Sequence, residues 1–145
     1  GKTYIGKLMS KTFRLPFFDA DEIITAKEEE LLRSRKYNQG NRDKFIERLK
    51  NKVNELTKAK SDLVLAEAFT KEKNRLDFKE YFKKNIIFIS IYSPRRLARL
   101  RISERSMIEN HVIDAVCFDF IWDEYDEPLL LRELIRNTSI TTDKQ

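Results

Sequence analysis

The first three residues are of the types that phosphate chemistry uses. Gly1-Lys2-Thr3 matches the tail of the pattern G-x-x-x-x-G-K-S/T. In that pattern backbone N–H groups at a helix N-terminus hold phosphate, the lysine adds charge near the β and γ phosphates, and the hydroxyl ligates Mg²⁺. A bare G-K-T also arises by chance. What favours it here is its context, a helix followed by a strand that ends in Asp19 and Asp21. Two carboxylates spaced two apart share a face of an extended segment, or converge through a turn. Either way they can hold a metal-bound water and orient an attacking hydroxyl. The plain alternative is that Asp21 caps a helix and Asp19 is solvated.

Further along, Glu67 ends a short apolar run, a place where an acidic group can stand near Mg²⁺ or simply terminate the strand. Arg95, Arg96, Arg99, Arg101 and Arg105 include i,i+4 pairs at 95/99 and 101/105, so several guanidinium groups can reach phosphates together. Leu97 and Leu100 give the same helix a core-facing side, and a solvated arginine face fits almost as well. Arg42 and Arg75 lie near helix starts and are weaker candidates for contact with a substrate. His111 has no partner at ligand spacing, Cys117 reads as core, and no local motif supports a Ser-His-Asp arrangement. With glycine only at positions 1, 6 and 40, no G-x-G-x-x-G fingerprint exists, which excludes a Rossmann dehydrogenase.

The elements that would position these groups follow from periodicity. Ile5, Leu8, Met9 and Phe13 share one face of a helix over 3–13. Residues 15–18 read as a short buried strand, with both aspartates at its carboxyl end, the edge where open α/β sheets bind ligands. A helix over 23–36 follows, then a turn over 37–41 whose Asn41 could cap the next helix. The core stripe of that helix is Phe45, Ile46, Leu49, Val53 and Leu56. Residues 63–66 form a strand covered on both faces, 70–84 a helix, 86–92 the clearest strand, and Ser93-Pro94 the start of an arginine-rich helix through Arg105. Residues 116–122 read as a further strand and 128–136 as a last helix. Strands alternating with helices imply a three-layer α/β fold, a parallel sheet with helices on both faces. A strand before the first helix is the one piece this order lacks.

The chain has 145 residues, of which 41% are apolar and 16 are aromatic, enough for one compact domain with a sizeable core. No apolar run approaches the roughly 20 residues that cross a bilayer. One cysteine rules out an internal disulfide and, with no apolar leader, favours a cytoplasmic setting. The net charge of +5 hides two opposed blocks. Residues 71–105 carry eleven basic and four acidic groups, whereas 106–135 carry one basic and eight acidic, so the two should attract each other. A basic surface also raises nucleic-acid binding, but lysine-rich helices more often present solvated faces, and a nucleic-acid partner is not expected.

Gly1-Lys2-Thr3-x-x-Gly6-Lys7-Leu8 and Leu15-Pro16-Phe17-Phe18-Asp19-Ala20-Asp21 resemble the opening of the gluconate kinase and shikimate kinase family of small P-loop kinases. More loosely, residues 38–49 with Arg42 are similar to the substrate-side helical region. Residues 63–71 with Arg75 look like the third strand and basic helix of gluconate kinases. Residues 97–105 resemble the start of the mobile lid, placed at about 95–115, and 118–128 the last strand with its adenine-contacting loop. A second register puts Asp126-Glu127-Pro128 in the lid.

The resemblance implies ATP and Mg²⁺ as cofactors. Gly1, Lys2 and Thr3 would bind phosphate, Thr3 and Asp19 the metal, and Asp21 the substrate hydroxyl. Arg101 or Arg105 would cover the phosphates or adenine, with Arg105 counted among the catalytic groups, and Pro128 would border the adenine. Arg42 and Arg75 would contact the substrate. The third strand lacks the glycine-rich run of shikimate kinases and carries Glu67 where gluconate kinases tend to have Ser.

The expected activity is phosphoryl transfer from ATP to a hydroxyl of a small metabolite, with a sugar acid such as gluconate as the leading acceptor. A nucleoside or nucleotide kinase, or a nucleotide-binding module without catalysis, are the alternatives. On this reading residues 1–145 are most of one slightly larger P-loop kinase domain, with the strands flanking a missing central one and the phosphate loop cut in half.

Overall fold

A computed structural model describes residues 1–58, 62–108, 115–127 and 134–136. Helix α1 spans Lys2–Phe13 and stops at Arg14, which takes the left-handed conformation (φ 55°) and donates its N–H to the Ser10 carbonyl. Its inner face is not the expected row of large apolar residues. Gly6 is buried, whereas Leu8 and Phe13 are exposed. The small residue lets α1 lie against strand β1 (Phe17–Asp19). A Cβ at position 6 would stand 2.6 Å from the Phe17 ring.

After β1 the chain makes a short 3₁₀ turn, Ala20–Ile23, then helix α2 (Ala26–Arg33) and helix α3 (Gln39–Thr57). The cap of α3 is Asn38. Asn41, expected in that role, sits at the third helical position and returns the hydrogen bond. The core stripe of α3 is as expected: Phe45, Ile46, Leu49 and Val53 are buried, and Leu56 packs against them. Phe18, Ala20, Phe69 and Phe78 complete this core, where Phe69 meets Phe78 edge-on at 5.0 Å.

Strand β2 (Val64–Ala66) pairs parallel with β1, with Phe17 opposite Val64 and Asp19 opposite Ala66. Helix α4 (Glu72–Phe82) leads to strand β3 (Ser90–Tyr92), which is shorter than the expected 86–92. Ile86 and Phe88 pack on the core without joining the strand. Helix α5 (Arg95–Ile108) follows. Ser93 does not cap it, since its hydroxyl finds no hydrogen-bond partner among the described residues.

Two expectations fail beyond this point. Residues 116–122 are not a strand but the body of helix α6 (Ala115–Asp123). The β-favouring composition of the run is overridden by tertiary contacts at helical spacing. Asp119 and Asp123 face Arg95 and Arg99 of α5, while Cys117 is buried. The final strand lies further on: β4 (Leu134–Arg136), expected as helix, pairs parallel with β3, Ser90 opposite Leu134. Residues 128–133 of that expected helix lie outside the described residues.

Every described strand pairing is parallel and is bridged by helices, as in an α/β fold. The strands stand as two pairs, β1 with β2 and β3 with β4.

Candidate functional site

The carboxyl ends of β1 and β2 and the first turn of α1 meet at one place. Thr3 Oγ1 donates to Asp19 Oδ2 at 2.8 Å, tying the start of α1 to the end of β1. The other oxygen of Asp19 accepts the Asp21 N–H at 3.2 Å, and the Asp19 N–H turns back to Glu22 Oε1 at 3.4 Å. This reciprocal cap orients the Asp19 carboxylate and turns the chain, so that Asp21 leaves on the 3₁₀ turn rather than on an extended strand. Glu22 was not singled out from the sequence. The signal was there, an acidic residue three positions after Asp19.

Positive charge gathers at the same helix end. Lys2 and, from α5, Arg101 and Arg105 act electrostatically on the Gly1 end of this helix. The two arginines of α5 singled out for phosphate therefore act on the residue that opens α1. Arg95 and Arg99 do not: they pair with Asp119 and Asp123, fastening α5 to α6. Gly1 is the N-cap and contributes no side-chain bond, so the first N–H groups of α1 keep their anion-binding character.

One residue beyond Ala66, the partner of Asp19, comes Glu67, its side chain almost wholly buried. It forms a close ion pair with Arg42, and the same oxygen accepts the Phe69 N–H at 3.3 Å. The Arg42 guanidinium lies 5.1 Å over the Phe45 ring, and its Nε finds no hydrogen-bond partner among the described residues. Burial works against the charge of Arg42, but Glu67, with a smaller contribution from Tyr37, outweighs it and raises the pKa above the usual arginine value. Beside this pair burial pushes the Tyr37 hydroxyl pKa up, while Arg42 opposes the shift.

Arg75 is placed differently from a free substrate contact. Its guanidinium is held by Glu72, by the Phe69 carbonyl and, at 2.6 Å, by the Asp126 carbonyl, with the Tyr125 ring beneath it. Cys117 is buried and donates to the Leu32 carbonyl at 3.8 Å, in keeping with a core role. Pro128 and His111 lie outside the described residues. Among the described residues no cluster of three or more His, Cys, Asp or Glu groups could hold a metal, and no helix is long and apolar enough to cross a membrane.

The family model for shikimate kinase matches residues 1–128. The chain belongs to the shikimate kinase family. It is therefore a small-molecule kinase of the P-loop type, and ATP use follows from that membership. A search of curated proteins found no match. Among solved structures, the kinase resembles a gluconokinase from Sinorhizobium meliloti 1021 with a TM-score of 0.73 and 12% identity, over 95% of this chain and 75% of that one. At that identity the likeness speaks for the fold, and the fold agrees with the α/β reading of the sequence.

Proposed function

We propose that the kinase transfers the terminal phosphoryl group of ATP to a hydroxyl of a small metabolite, with a sugar acid such as gluconate as the leading acceptor. The observation that carries this reading is the Thr3–Asp19 hydrogen bond, which places a hydroxyl and a carboxylate at the start of α1, within electrostatic reach of Arg101 and Arg105. Both are hard oxygen donors. Mg²⁺ held by Thr3 and Asp19 would take its remaining ligands from phosphates and water, as this ion usually does. When bound, it neutralises charge on the phosphates.

Lys2 and the open N–H groups after Gly1 hold the phosphates. Arg101 and Arg105 close over them, Arg105 against the charge on the transferred group, in a lid of about residues 95–115. Asp21 orients the acceptor hydroxyl and takes its proton. Arg42 stands at the acceptor side, Arg75 shapes it from behind through Phe69 and Asp126, and Pro128 borders the adenine. One domain over residues 1–145 carries these parts, in a cytoplasmic enzyme of carbohydrate metabolism.

The test is ADP release with Mg-ATP and a panel of sugar acids, polyols and nucleoside monophosphates. One preferred acceptor is expected, with turnover reduced about 100-fold or more in Lys2→Ala and in Asp21→Ala. A preference for a nucleoside monophosphate would turn the reading to a nucleotide kinase. ATP binding without ADP release, whatever the acceptor, would leave a nucleotide-binding module.

A further inference from the structure

The ion pair at the end of β2 is unusual for its cost and its place. Glu67 has only 2% of its side chain exposed and Arg42 16%, and charges so far from water persist only when they balance one another. Neither is needed to close the strand pair, whose register is set by residues 17–19 and 64–66. That register puts Asp19 opposite Ala66, so Glu67 leaves β2 at the edge from which Asp21 leaves β1. Neighbouring strands lie about 4.8 Å apart. By this register the pair stands at the same edge of the strand pair as the carboxylate to which the acceptor hydroxyl is assigned. Glu67 is closed off from water, whereas Arg42 keeps a small exposed part of its side chain.

A guanidinium already neutralised by a carboxylate gains little from a second carboxylate, whose charge would meet Glu67 at close range. A neutral hydroxyl oxygen meets no such repulsion and can accept from the part of the Arg42 side chain that stays exposed, 16% of it. We propose that Glu67 is a specificity-determining residue that holds Arg42 in a charge-balanced pair, so that this part of the acceptor site reads hydroxyl groups and not a carboxylate. A sugar acid is then bound here by its polyol chain, with its carboxylate directed elsewhere. The inference rests on the acceptor-site reading given under Proposed function. Glu67 acts through Arg42 and is a positioning residue, not a catalytic one.

The experiment compares D-gluconate with D-glucitol, which differ only in a carboxylate against a hydroxymethyl group. The KM ratio of the two is measured in the wild type, Glu67→Gln, Glu67→Asp and Arg42→Gln/Glu67→Gln. In the wild type the two KM values are expected within about threefold of each other. Glu67→Gln keeps the side-chain shape and the bond from the Phe69 N–H but frees the charge of Arg42. It should shift the ratio about tenfold toward the acid, equivalent to about 1.4 kcal/mol, while the kcat values for the two acceptors move together.

Glu67→Asp, too short to reach Arg42 well, should shift it the same way by less, and serves if Glu67→Gln does not fold. The double variant should return the ratio to the wild-type value. A ratio unmoved in whichever single variant folds, or a wild type that already demands the carboxylate, overturns the proposal. If neither compound is turned over, the acceptor assignment itself is at fault. The same ratio of dissociation constants, read by calorimetry in the presence of Mg-ADP, then decides the charge balance separately: a shift supports it and no shift overturns it.

Discussion

Buried and half-buried charge in this kinase is handled pair by pair, and Glu28 illustrates the balance. It lies in the first turn of α2, where Thr25 donates both its N–H and its hydroxyl to Oε2 at 2.9 Å and Arg48 adds a third bond at 2.6 Å. Burial by itself raises the carboxyl pKa. The bonds from Arg48 and Thr25 outweigh it and hold the group below its ordinary value of 4.5. A depressed carboxylate stabilises the fold above the unfolded pKa and loses that contribution as pH falls through the folded value. Glu28→Gln is therefore expected to cost roughly 1 kcal/mol at pH 7. It should also flatten the loss of stability between pH 4.5 and lower pH, as read from urea unfolding across that range. In the sequence T-x-x-E at 25–28 is a capping-box pattern, and the helix expected over 23–36 passed over it, whereas α2 starts at Ala26. The arginine 20 residues away that completes it was not legible, because its approach depends on how α3 crosses α2.

At the scale of elements, the contact of α1 with β1 decides whether the site is assembled. A carbon added at Gly6 would sit 2.6 Å from Cε2 of Phe17, closer than any relaxed contact, and Phe17 is the first residue of the strand that ends in Asp19. The ring would have to move, and with it the spacing that lets Thr3 reach Asp19. Gly6→Ala is expected to destabilise the protein by about 1–3 kcal/mol despite the better helix propensity of alanine. Urea unfolding monitored by circular dichroism reads this directly, and a variant as stable as the wild type would show that α1 can tilt without penalty. Here the sequence was legible in part. A helix over 3–13 and a strand ending at Asp19 followed from periodicity and from the aspartates, whereas which face of α1 turns inward did not. The inward face is set by the smallest residue of the helix, and apolar periodicity points to the largest.

Across the whole molecule, the opposed charge blocks find each other. Lys71 pairs with Glu124 and Asp126, Arg95 with Asp119 and Asp123, and Arg99 with Asp119. The segment after α6 is thereby clasped to the start of α4. Lys71, the N-cap of α4, provides no side-chain cap of its own. Asp126 supplies one from 54 residues away, accepting the Glu72 N–H at 3.0 Å while its own N–H donates to the Thr70 carbonyl at 2.8 Å. Asp126→Ala is expected to lower stability by about 1–2 kcal/mol, the usual worth of a lost cap. Amide exchange at Glu72 should accelerate more than exchange in α3, and a uniform acceleration would argue against a local clasp.

Several features were settled by the sequence alone: the α/β alternation as far as α5, the core stripe of α3, the carboxylates at the end of β1, and the attraction between residues 71–105 and 106–135. Each depends on periodicity or charge counted along the chain, which backbone geometry and Coulomb's law translate without further information. Tertiary structure alone decided that 116–122 is helical, that β4 lies at 134–136, that Glu67 faces Arg42 and that Arg75 is held by Phe69, Glu72 and Asp126. A short apolar run satisfies helix and strand equally well until neighbours choose a face for it. A buried charge takes whichever partner the fold brings within reach, and that partner is remote in sequence.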